Sequence, residues 1–360
     1  MRMTRREFSR LALGAACASA LPAVGAAKPA QMKAVLLHLG HNMWCDWARP
    51  GEPTALKPGA GAAGTKLRFD ETLWRRLTAR MAELKLDTLV IDIGEGVRLP
   101  SHPELAVPDA WSPDRMREEV RRLRALGIEA IPKLNFSAAH NGWMGEFRRM
   151  MSAKPYYDFC DAVIGDVCEI FGSPRYFHLG CDEETYVAQA DWNRCEYTCV
   201  RGGELWYNDL VRLVRRCEKL GARPWIWSDY GWDHPDFVRK CPKCVLQSNW
   251  HYDDAYEKFD DAAPWGGRRL RFFGELDRAG FEQVPCGTNW VGFKRKQLKV
   301  GADEVMGGLV KYCRKAISPE RLKGFLMAPW AACDTQENFE KCLRGIEIFG
   351  SLEGSGGVMV

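Results

Sequence analysis

The segment Phe177-His178-Leu179-Gly180-Cys181-Asp182-Glu183 sets two carboxyl groups side by side after a short apolar run. Adjacent carboxyls can divide acid–base work: one holds a proton to deliver, while the other stays charged and steadies a developing cation. Neighbouring residues of a strand point to opposite faces, so Asp182 and Glu183 share a pocket only where the strand ends. Gly180 eases such an ending. Together with Glu184 the pair could instead open a helix or a solvated loop, where carboxylates are also favoured.

Other apolar runs end in the same kind of residue. The first is followed by His41, Asn42 and Trp44, the second by Asp92 and Glu95, the third by Lys133, Asn135 and His140. Later runs lead to Trp227 and Asp229, Trp250 and Tyr252, Asn289 and Trp290, then Trp330 and Asp334. The 14 tryptophans are several times ordinary usage, and five of them recur at strand ends. Flat indoles stack on the apolar faces of sugar rings, which points to a carbohydrate pocket; the plainer role is to fill space at a wide rim.

Such residues need elements to aim them. Eight apolar runs alternate with amphipathic helical stretches: 33–40, 88–93, 130–136, 175–180, 223–228, 245–249, 282–287 and 324–329. The spacing predicts helices over 69–86, 113–126, 156–171, 205–220, 302–317 and 337–349. The fifth repeat offers only 235–240 for a helix, and the stretch through Pro264-Trp265-Gly266-Gly267 reads as irregular. Eight strand–helix units in series predict one α/β domain, a single (β/α)8 TIM barrel over residues 32–354 with extended mouth loops. In that fold the working residues sit at the C-terminal ends of the strands. No glycine cluster follows the first strand to cradle a phosphate, and no His-x-His spacing offers metal ligands, so no cofactor or metal is expected.

Thr4-Arg5-Arg6-Glu7-Phe8, the apolar stretch 11–24 and the small residues Gly25-Ala26-Ala27 resemble a twin-arginine export signal. Residues 1–27 would be a leader read by the twin-arginine machinery, leaving a periplasmic or secreted protein. Removing its four arginines and one glutamate lowers the formal charge from +4 to +1. That balance gives no reason to expect nucleic acid as a partner, and no later apolar run reaches the 18 residues of a membrane span. The 14 cysteines include Cys195-x3-Cys199 and Cys241-x2-Cys244. Disulfides are plausible in an oxidising compartment. A four-cysteine zinc site is disfavoured because the barrel puts these pairs at opposite rims. Lys294-Arg295-Lys296 reads as a solvated loop, or as a contact for an acidic polymer.

The segment 178–183 resembles the His-x-Gly-Gly-Asp-Glu motif on strand four of the family 20 glycoside hydrolases, the β-N-acetylhexosaminidases. The resemblance implies a (β/α)8 barrel that cleaves terminal N-acetylhexosamines from a carbohydrate substrate, with the 2-acetamido oxygen as nucleophile. It implies Asp182 as the group that orients the acetamido and Glu183 as acid, then base, with His178 as a brace. His41, Trp44, Asn135, His140, Trp227, Asp229, Trp250, Tyr252, Asn289, Trp290, Trp330 and Asp334 are the candidate sugar contacts. Strand seven ends Gly287-Thr288-Asn289-Trp290, without the carboxylate that many barrel glycosidases place there. Asp229, Glu95 and Asp334 remain as other carboxylates. The chain departs from the family at Cys181, which replaces a glycine, and lacks an evident arginine at strand one and tyrosine at strand seven. A true hexosaminidase and a relative of altered sugar specificity both fit. A non-catalytic glycan-binding barrel and a metal-dependent enzyme using His41, Asp92, Glu95, Asp182 and Asp229 are the alternatives.

Overall fold

Period-two alternation decides where each strand residue goes. In the computed structural model, which describes residues 31–44, 63–192, 197–252, 256, 266–289 and 302–354, all eight apolar runs contain strands. They are β1 (Met32–His38), β2 (Thr88–Asp92), β3 (Glu129–Lys133), β4 (Tyr176–His178), β5 (Arg223–Trp227), β6 (Leu246–Ser248), β7 (Cys286–Gly287) and β8 (Gly324–Met327). Ala34, Leu36, Val90, Ile131, Tyr176, Trp225, Leu246 and Leu326 pack with one another inside the ring. The alternate residues Val35, Leu37, Leu89, Ile91, Phe177, Ile226, Phe325 and Met327 join the larger core around it. Fully burying each such side chain contributes about 1.5–3 kcal/mol.

Every strand pair is parallel, in the order β6-β5-β4-β3-β2-β1-β8-β7. Isolated bridges Gln247↔Gln283 and Trp250↔Cys286 bring β6 against β7. With the hydrogen bonds Val284 N to Gln247 O and Cys286 N to Asn249 O, both 2.9 Å, they nearly close the ring. The result is a (β/α)8 TIM barrel, as the alternation of runs predicts.

The helices are α1 (Glu71–Glu83), α2 (Pro113–Ala125), α3 (Lys154–Ile170), α4 (Gly203–Lys219), α5 (Tyr230–Asp233), α6 (Phe237–Lys240), α7 (Gly266–Arg278), α8 (Ala302–Ala316) and α9 (Gln336–Gly354). Their ends follow local chemistry. Asp70 caps α1 by accepting from Leu73 N at 2.9 Å, and Ser112 caps α2 through Arg115 N at 3.2 Å. The sixth unit corrects the reading of an irregular stretch. Gly266-Gly267 argues against a helix by propensity, yet Leu270, Phe272, Phe273 and Leu276 recur at helical spacing and are buried. Their burial outweighs the glycine cost of about 1 kcal/mol each. The fifth unit is weak, as expected, with two single-turn helices.

Residues 1–27, expected to be a leader, lie outside the described residues, as do Trp290, the basic run 294–296 and the side chain of Trp44. The described cysteines are free thiols. Among the described residues no helix is long and apolar enough to cross a membrane.

Candidate functional site

The alternation that fills the ring with apolar side chains also builds its mouth. The inward series of β1, β2, β3, β4 and β5 end in His38, Asp92, Lys133, His178 and Trp227, all buried. Apolar layers thus give way to a polar one at the C-terminal ends. Lys133 Nζ pairs with Asp92 Oδ2, and His38 Nδ1 lies 3.6 Å from the same oxygen.

Beyond β4 the chain turns through left-handed backbone at Gly180 (φ 69°), Cys181 (φ 70°) and Glu183 (φ 55°). For the two non-glycine residues this conformation is uncommon and costs energy. At Gly180 glycine is required, since a Cβ would fall 2.1 Å from Asn135 Oδ1. The turn brings both carboxylates to one imidazole. His140 Nε2 lies 3.2 Å from Asp182 Oδ2 and 3.2 Å from Glu183 Oε2.

Asn135 holds the turn from the β3 side. Its Nδ2 donates to Asp182 Oδ1 at 2.8 Å, while its Oδ1 accepts from Ser137 N at 3.0 Å and Cys181 N at 3.2 Å. These contacts leave one orientation for the amide. Trp143 Nε1 donates to Asn135 O at 2.7 Å, and Ser137 Oγ donates to Asp182 O. From the other side, Glu183 N donates to Asp229 Oδ2 at 2.7 Å.

Charge separates the carboxyls. Burial raises the Asp182 pKa, but the His140 imidazolium, Lys133 and the Asn135 amide outweigh it and hold Asp182 below the usual carboxylate range. Burial disfavours a charged His140, yet Asp182 and Glu183 lift it to about 10. Burial beside Asp182 pushes Asp229 up to about 8, so it carries a proton at neutral pH.

The aromatic residues form a continuous wall. His178 sits between Trp225 and Trp227, with ring centroids 5.0 and 4.6 Å away, and accepts from Gly180 N at 3.1 Å through Nδ1. Trp330 lies 5.8 Å from Trp227, 5.9 Å from His38 and 6.4 Å from Tyr252. Tyr252 stacks on Trp250 at 4.9 Å, and Trp250 meets Trp232 at 4.6 Å. Among the described residues, three buried polar atoms in this region have no hydrogen-bond partner: His178 Nε2, Trp227 Nε1 and Asp229 Oδ1.

His41 and Asp334 meet through Arg68, which sequence reasoning passed over. Arg68 Nε donates to Asp334 Oδ2 at 2.9 Å, and its Nη1 lies 3.3 Å from His41 Nδ1. Arg68 follows a long, Pro-punctuated insertion, which hid its return to the end of β1. A search for a basic partner to Asp334 within the first mouth loop would have found it. Burial and the Arg68 charge bring His41 down to about 4.

Two residues expected near the mouth, Asn289 and Glu95, are used otherwise. Asn289 donates to Lys341 O of α9 at 2.8 Å and packs against Gly345, so its amide faces a helix instead of the mouth. Glu95 accepts from His41 N at 2.7 Å and Asn42 N at 3.0 Å, which fixes the turn after β1. Among the described residues, no group of three or more His, Cys, Asp or Glu is placed to hold a metal ion. The set His41, Asp92, Glu95, Asp182 and Asp229 is divided among separate backbone and ion-pair contacts.

No protein-family model matches the chain, and no curated protein matches it in sequence. Solved structures do. A β-N-acetylhexosaminidase from Bacteroides fragilis is similar with TM-score 0.58 at 12% identity, over 89% of this chain and 65% of that one. A chitobiase from Flavobacterium johnsoniae gives 0.54 at 13%, over 79% of this chain and 50% of that one. A family 20 β-N-acetylhexosaminidase from Streptomyces coelicolor gives 0.57 at 14%, over 88% and 64%. The chain thus spans from half to about two thirds of these proteins. At such identities the likeness is one of fold: this barrel resembles the catalytic barrels of family 20 glycoside hydrolases.

Proposed function

We propose that the chain is a retaining, exo-acting glycoside hydrolase for sugars that carry a 2-acetamido group, with the acetamido oxygen as nucleophile. The observation that carries this reading is the imidazole of His140, which touches both Asp182 and Glu183 at 3.2 Å. Glu183 delivers a proton to the leaving oxygen, then takes one from the incoming water. Asp182, kept ionised, accepts the acetamido N–H and balances the positive charge that develops as the ring closes on the anomeric carbon.

The other carboxyls support a nucleophile supplied by the substrate. Asp229 holds its proton up to about pH 8, Asp334 is paired with Arg68, and Glu95 is bonded to two backbone amides. A protein nucleophile needs an ionised carboxylate about 5 Å from the acid. The indole wall suits the apolar face of a sugar ring, and Arg68 with Asp334 offers a donor and an acceptor for its hydroxyls. The buried polar atoms of His178, Trp227 and Asp229 call for a polar ligand or water. The named activities of the structural neighbours agree with this reading.

The test is Glu183→Gln with a thiazoline analogue of N-acetylglucosamine. The variant loses about a thousandfold or more in kcat while staying folded, and the analogue inhibits the wild type competitively. Full turnover by the variant removes Glu183 as the acid, and absence of inhibition removes the acetamido nucleophile. Export by the twin-arginine route is part of the proposal. Replacing both arginines, Arg5→Lys and Arg6→Lys, should leave the precursor in the cytoplasm, and unimpaired export would contradict it.

A further inference from the structure

Behind the carboxylate pair lies a set of charges that the proposed reaction does not use. Glu184, the residue after Glu183, turns inward, and its side chain is 0% exposed. Arg201 (2%) and Asp209 (1%) are buried with it. The Arg201 fork grips Glu184 with Nε at 3.0 Å from Oε2 and Nη2 against Oε1. Nη2 also donates to Phe136 O and Nη1 to Asp209 Oδ2, both at 3.0 Å. Asp209 in turn accepts from Ser152 Oγ at 2.5 Å and Tyr157 OH at 2.6 Å. One guanidinium therefore joins the loops after β3 and β4 to α4, and Asp209 carries the link on to α3 through Tyr157.

Stability alone is a poor account of this cluster. The cost of desolvating buried ions offsets most of their attraction, and apolar replacements of similar volume are often as stable. A planar fork with fixed donor directions is instead suited to holding geometry. The geometry at stake is next door. Glu183 and Cys181 keep left-handed backbone, which persists only where the surroundings over-determine it. Asn135 and Asp229 fix the turn from two sides, and Arg201 anchors the third through Glu184.

We propose that Arg201 is a positioning residue for the carboxylate pair: by clamping Glu184 to α4 it holds Glu183 and Asp182 on the single imidazole of His140. The kinetic arm of its test rests on the hydrolase reading; the other arm does not.

The experiment uses the full mature chain with Arg201→Lys, which keeps the charge and loses the fork. Its folding is checked by thermal melting. The first readout is the titration of His140 by NMR, assigned by comparison with His140→Gln. A displaced Glu183 leaves the imidazolium one carboxylate short, so His140 titrates lower than in the wild type by about one pH unit or more. The second readout is kcat on aryl 2-acetamido glycosides. It falls about tenfold or more for a poorly acidic phenol and less for a dinitrophenol, which needs little proton assistance. A purely structural role would lower both substrates equally, in proportion to the folded fraction. An unmoved His140 titration in folded protein overturns the proposal, and so does a moved titration with unchanged kcat. If Arg201→Lys does not fold, Glu184→Gln is read by the same two outcomes. If the wild type hydrolyses no glycoside, the functional reading fails by itself and the titration alone decides the clamp.

Discussion

Asp182 directly precedes Glu183, Asp229 accepts from the Glu183 backbone N–H, and the two aspartates are driven to opposite protonation states. Asp182 faces the His140 imidazolium and the Asn135 amide and stays ionised. Asp229, buried beside that charge, is pushed up to about 8. Two carboxyls set apart in this way are what a site needs to keep one charge fixed while a third group, Glu183, moves protons.

The first prediction concerns that burial cost. An acid whose folded pKa is raised binds more protons folded than unfolded, so stability falls as pH rises from about 4 to about 8. Asp229→Asn removes the titrating group and keeps an acceptor for Glu183 N. Urea unfolding should show the variant gaining on the wild type between pH 5 and pH 8, by an amount of the order of a few kcal/mol. An equal difference at both pH values would contradict the raised pKa.

Asn135 is predicted to be irreplaceable by its closest isostere. Asn135→Asp turns a donor towards Asp182 into a second negative charge, and like charges at hydrogen-bond distance cannot both ionise. Turnover of an aryl 2-acetamido glycoside should fall about a hundredfold or more at neutral pH, with partial recovery as the pH is lowered. Activity within a fewfold of the wild type would show that the Asn135 amide does not matter.

Gly180→Ala tests the close approach at the turn. The new Cβ meets Asn135 and occupies left-handed backbone, so melting should reveal a loss of about 1–3 kcal/mol. Activity measured on the folded fraction should drop further, because relief of the clash shifts Asn135 away from Asp182. A variant as stable and active as the wild type would contradict the geometry of the turn.

Trp330 stands where β8 opens, within ring-contact distance of Trp227, His38 and Tyr252. Trp330→Ala should raise KM about tenfold and leave kcat largely unchanged, because stacking binds ground state and transition state alike. Steady-state kinetics would show otherwise if kcat fell and KM held.

The barrel was readable because eight buried parallel strands leave near-continuous apolar runs, and helices such as α2 carry their own cap at Ser112 and stop at Gly127. The same logic pointed to strand ends as the place to look, which is where Asp182, Glu183, His140 and Asn135 meet. It could not show that Arg68 returns to His41 after a long insertion, because loop closure leaves no periodicity to follow. It also missed α7, whose opening glycines mask an apolar stripe, and it assigned Asn289 to the mouth. Whether a side chain just past a strand end faces the axis or the helices depends on the turn that follows, and Asn289 turns towards α9. The role of Arg201 was hidden for a related reason: its partners Phe136, Glu184 and Asp209 come from three separate elements, and no spacing in the sequence links them.

The central claim is that a 2-acetamido group on the substrate takes part in the reaction that Asp182 and Glu183 perform. The direct measurement is the ratio of kcat/KM for a 4-nitrophenyl 2-acetamido-2-deoxy-glycoside to that for the same glycoside with a 2-hydroxyl. The account predicts a ratio of about a thousand or more, since the hydroxyl compound lacks both the nucleophile and the partner of Asp182. Comparable rates on the two substrates would contradict it.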